Sequence, residues 1–77
     1  MLSFNQIKKK FADQIDLAGS VSAQLRDQHE YLLDKTSECH KTALNLWSDN
    51  IISFKEYDIL DEVIENSFHT ALDRYYK

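Results

Sequence analysis

The stretch Ser48-Asp49-Asn50-Ile51-Ile52-Ser53-Phe54-Lys55-Glu56-Tyr57 decides how this chain folds. Ser53 and Glu56 have the S-x-x-E spacing of a capping box. In that motif the serine hydroxyl accepts from a backbone N–H three residues on, and the glutamate accepts from the serine N–H. Ile52 and Tyr57 stand where the two members of a hydrophobic staple stand. Asn50 follows an apolar run, and asparagine tolerates the left-handed conformation that ends many helices. One helix therefore stops near Ser48 and another starts after Ser53, and the stretch is the corner between them.

Beyond the corner, Tyr57, Leu60, Ile64, Phe68, Ala71 and Tyr75 recur at three- and four-residue steps, flanked by Val63 and Leu72. This is the buried stripe of an amphipathic helix. Before the corner, Ser3 and Gln6 repeat the capping-box spacing. Phe4, Ile7, Phe11, Ile15 and Ala18 then form a narrow stripe, with Leu17 off it. Past Gly19-Ser20 the stripe resumes as Val21, Leu25, His29, Leu32, Thr36, Cys39, Ala43 and Leu46. Leu33, Leu44 and Trp47 widen it to the breadth expected of a helix that touches two neighbours.

Gly19-Ser20 is the only breaker pair before Ser48, yet the stripe keeps helical phase across it. Two architectures follow. In one the chain turns there and makes an all-α bundle of three helices, over about residues 3–18, 20–48 and 54–76, in a single domain 1–77. In the other a long helix stays whole and pairs with a second copy as a dimer. A helix from Ser3 to Ser48 would run roughly 69 Å at 1.5 Å per residue. A compact domain of this size is only roughly 30 Å across. The three-helix form is the favoured expectation.

Composition supports helices and limits function. The 77 residues include no Pro and one Gly, with 43% hydrophobic residues. Sheets and loops need more punctuation than that. A net charge of −4 argues against direct nucleic-acid binding, which relies on Lys and Arg to displace counterions. Lys8, Lys9 and Lys10 point about 100° apart around a helix and form no patch. No apolar run is long enough to span a membrane, and the first residues lack the apolar core of a signal peptide. Cys39 is the only cysteine, which fits a reducing compartment. A cytoplasmic setting is expected.

The feature that points to function is an acidic face. Asp58, Asp61, Glu62 and Glu65 stand at steps of three, one and three, and His69 and Tyr76 continue the same side of the helix. Like charges at such spacing repel slightly, so the row is not there for helix stability, and the fold is expected not to need it. A small acidic protein–protein interaction module follows, a regulator or inhibitor docking on a basic surface of a larger protein. The alternative is an assembly subunit that oligomerises through its apolar stripe, and the third reading is a metal-binding helical protein. The metal reading is poor, because carboxylate metal bundles direct Glu and Glu-x-x-His inward from several helices. His29, Cys39 and His40 lack the paired spacing of a structural zinc site. Adjacent Cys39 and His40 diverge on a helix and make no nucleophile–base pair. No Gly-rich phosphate loop or hydrolase motif is present. The expectation is no enzyme and no cofactor.

Overall fold

The computed structural model describes residues 3–76, and these form three α-helices: α1 Phe4–Leu25, α2 Glu30–Ser48 and α3 Phe54–Tyr75. Each packs against the other two, and no strand occurs among the described residues. The molecule measures 38 × 20 × 17 Å, and a helix of 22 residues runs roughly 33 Å. The long axis is thus a single helix length. The chain takes the three-helix architecture, and the unbroken helix from Ser3 to Ser48 does not form.

The corner behind Ser48 is built as its residues dictate. Asn50 is left-handed, at φ 60°. The Ile51 N–H donates to the Leu46 carbonyl at 2.9 Å, and the Asn50 N–H to the Trp47 carbonyl at 3.0 Å. Those two bonds are a Schellman motif, which satisfies carbonyls that a helix end leaves open. Ile52 is buried and Tyr57 packs against the core. The Glu56 N–H then donates to Ser53 Oγ at 3.1 Å, and the Ser53 N–H to Glu56 Oε1 at 3.0 Å. The Ser3–Gln6 box closes in the same way at the start of α1, at 3.2 and 2.8 Å.

The first turn is elsewhere than expected. It falls at Arg26–His29, not at Gly19-Ser20, so α1 is longer and α2 shorter than the periodicity predicts. Gly19 is a buried residue of α1 without a positive φ. It lies where α1 meets α3: a Cβ there would stand 2.9 Å from the Ala71 Cβ and 2.9 Å from Tyr75 Cδ2. The glycine serves close packing, not a turn. The turn uses ordinary residues in left-handed conformations, Arg26 at φ 56°, Gln28 at φ 56° and His29 at φ 73°. Asp27 ties it down. The Ser22 hydroxyl and the Tyr31 N–H both donate to its carboxylate, holding that carboxyl below its ordinary value. Asp27 thus satisfies an N–H of the first turn of α2, as a capping side chain does.

Ile15, Leu32, Leu60 and Ile64 are wholly buried at the centre, joined by Phe11, Ala18, Cys39, Ala43, Ile52 and Ala71. Each large aliphatic side chain so buried contributes about 1.5–3 kcal/mol. Asp16 on α1 adds a tie to α3, accepting from Arg74 at 2.8 Å and from the Tyr75 hydroxyl at 3.1 Å. The outer part of the wide α2 stripe stays outside this core. Leu33, Leu44 and Trp47 are 51%, 44% and 36% exposed. Touching both neighbours takes only the narrow part of the stripe, so the added apolar residues are left on the surface. Tyr31, off the stripe in the sequence, packs against the core's edge.

Candidate functional site

Helix α3 starts at its capping box, and from there four-residue steps, each slightly more than one turn of about 3.6 residues, set two adjacent rows. Tyr57, Asp61 and Glu65 form the row facing α2; Phe54, Asp58 and Glu62 form the row outside it. The antiparallel return of the chain through Ile51 brings α2 side chains over the inner row. Trp47 stacks on Tyr57 at 5.1 Å between ring centroids and meets the edge of Phe54 at 5.2 Å. Two turns back along the same face of α2, His40 reaches both inner acids. Its Nδ1 lies 2.9 Å from Asp61 Oδ1, and its Nε2 3.1 Å from Glu65 Oε1.

The four carboxylates therefore divide. Asp61 and Glu65 hold α3 against α2, so the expectation that the fold does not need the acidic face is wrong for these two. Asp58 and Glu62 are exposed and make no ion pair among the described residues. Phe54, one turn before Asp58, is 60% exposed. The outer row thus presents one aromatic ring and two free carboxylates in line.

His69 is exposed, with its ring edge-on to Phe68 at 5.7 Å. Tyr76 is not on the acidic face. It caps the end of α3 and turns onto the Arg26–His29 loop, its ring centroid 4.0 Å from that of His29. Its hydroxyl is buried without a hydrogen-bond partner among the described residues. Helical phase carries a residue around the axis only while the helix lasts, and α3 ends at Tyr75.

The residue the sequence reading leaves out is His40. A signal for it existed: His40 stands as far before Ile51 as Glu62 stands after it, so a tight corner must bring it opposite the acids. Its neighbour Cys39 faces the other way, buried, with its thiol donating to Gln14 Oε1 at 3.7 Å. Burial raises the Cys39 pKa, which disfavours the reactive thiolate. Among the described residues no three or more His, Cys, Asp or Glu side chains group so as to hold a metal ion, and no helix is long and apolar enough to cross a membrane.

No family model, curated protein or solved structure matches this chain.

Proposed function

We propose that this chain is a small acidic interaction module that docks on a basic surface of a larger protein, as a regulator or inhibitor of it. The observation that carries the reading is the outer row of α3. Asp58 and Glu62 lie exposed, and unpaired among the described residues, beside exposed Phe54. A carboxylate pair free of internal partners acts at range, steering a cationic surface into contact and raising the association rate. A neighbouring aromatic ring supplies the short-range contact that interfaces favour.

The test is to isolate the partner from the native host and measure binding kinetics against salt. Asp58→Lys with Glu62→Lys should slow association by about tenfold or more, with dissociation changed less. Raising salt should slow wild-type association in the same manner. Unchanged kinetics in the double variant would sink the reading and favour the assembly subunit, which would use apolar surface and be indifferent to these charges.

A further inference from the structure

The surface between α2 and α3 carries two parallel stripes of different chemistry. On α2, Leu33, His40, Leu44 and Trp47 share one outward face at helical spacing, and the three apolar members are 51%, 44% and 36% exposed. On α3, Phe54, Asp58 and Glu62 form the exposed row described above. The stripes join at the Trp47–Phe54 contact and run along two helices whose axes in such packings lie about 8–10 Å apart. Phe54 and Tyr57 cover part of Trp47, while about half of Leu33 and of Leu44 stays open among the described residues.

We infer that this face takes a basic amphipathic helix of a partner protein. The inference rests on the acidic docking reading and names what docks. A helix is about 10–12 Å across with its side chains, so one helix laid along α2 and α3 spans both stripes. Its apolar side would meet Leu33, Leu44 and Trp47, and Lys or Arg on its flank would meet Asp58 and Glu62. An extended strand sends successive side chains to opposite faces and offers this surface a single row. A flat cationic surface would engage the acids and leave the apolar stripe in water. Charge complementarity also sets the flank's sign, because Asp61 and Glu65 share His40 between them while Asp58 and Glu62 make no ion pair among the described residues. Amphipathic helices are commonly recognised through anchors at such steps.

The probe is a displayed library of random peptides of about 20 residues, long enough for more than five helical turns. Selection on the purified chain should enrich peptides with apolar residues at three- and four-residue steps and Lys or Arg beside them. Trp47 is the only tryptophan, so tryptophan-free synthetic copies of the winners should shift its emission to the blue as water leaves the ring. Leu44→Ser and Phe54→Ser, both at exposed positions, should each weaken binding by about tenfold or more, as should Asp58→Lys with Glu62→Lys. Circular dichroism melts would show that the variants fold.

Basic winners without helical periodicity, lost on charge reversal but indifferent to Leu44→Ser, would overturn the helix and leave the acidic docking reading standing. Winners that are not basic, or are insensitive to charge reversal, would overturn both. Failure to enrich any peptide would overturn the helix. So would a concentration-dependent blue shift of the chain alone that Leu44→Ser abolishes, since that assigns the stripe to a second copy.

Discussion

Gly19 of α1 packs so closely on Ala71 of α3 that a methyl group on it would stand 2.9 Å from the Ala71 Cβ. Gly19→Ala gains up to about 1 kcal/mol of helix propensity but overpacks a buried crossing, which costs about 1–3 kcal/mol. A net loss of about 1–2 kcal/mol is expected in urea melts. Ala71→Gly in the same chain should recover part of it, because the two methyl groups compete for one space. A simple sum of the two single effects would show that helix contact is not the cause.

Arg26 ends α1 in the left-handed region at φ 56°, where a non-glycine residue bears about 1–2 kcal/mol of strain. It is exposed. Arg26→Gly relieves that strain and adds some unfolded-state freedom, so a gain of about 0.5–1 kcal/mol is expected. The same change at Gln24, a helical position two residues earlier, should be destabilising by about 1 kcal/mol. Loss of stability at Arg26 would mean that its side chain, not its backbone, matters to the turn.

Arg26 also shows where legibility stops. The corner at Ser53 could be read because a capping box is local chemistry, complete within four residues. The first turn could not be read from glycine, because the single glycine is spent on the α1–α3 crossing and the turn is made by Arg26, Gln28 and His29. Its one sequence trace is Asp27 with Glu30, a capping-box spacing hidden inside an unbroken apolar phase. Leu33, Leu44 and Trp47 show a further limit. Periodicity tells which side of a helix is apolar, but only the count and placement of neighbours tell how much of that side is covered. At the candidate site the acidic face was visible in one helix, while its division needed His40 from another.

Asp27 makes the first turn sensitive to acid. Its carboxyl titrates below the ordinary 3.8 because the Ser22 hydroxyl, then the Tyr31 and Glu30 amides, favour the charged form. A depressed folded value contributes stability that is complete above the unfolded value and is lost as pH falls through the folded one. Asp27→Asn should therefore be less stable than wild type at neutral pH, with the gap narrowing as pH falls through and below the ordinary carboxylate range. Denaturant melts of both chains across that range give the difference directly. A gap that stays constant would show that the charge of Asp27 does no stabilising.

The two rows of α3 should separate stability from docking. Asp61 and Glu65 stand 2.9 and 3.1 Å from the ring nitrogens of His40, at 47% and 54% side-chain exposure. Side-chain contacts this open are worth no more than exposed ion pairs, about 0.2–1 kcal/mol each. Reversing both to Lys removes the contacts and sets ammonium groups against the imidazole. A loss of about 1 kcal/mol is expected, smaller in high salt because exposed charges are screened. Reversing Asp58 and Glu62 touches no such contact. It also turns the like-charge three-residue steps 58–61 and 62–65 into opposite ones, while the 58–62 step stays like-charged and Lys55 gains a like neighbour three residues on, so stability should hold within about 0.5 kcal/mol. A mixed reversal of Asp61 and Glu62 would confound the two effects, which is why the rows must be changed separately. Urea melts of the two double variants at low and high salt provide the measurement. Equal losses from both would show that His40 does not distinguish the rows, and the outer pair could then no longer serve as a probe of docking alone.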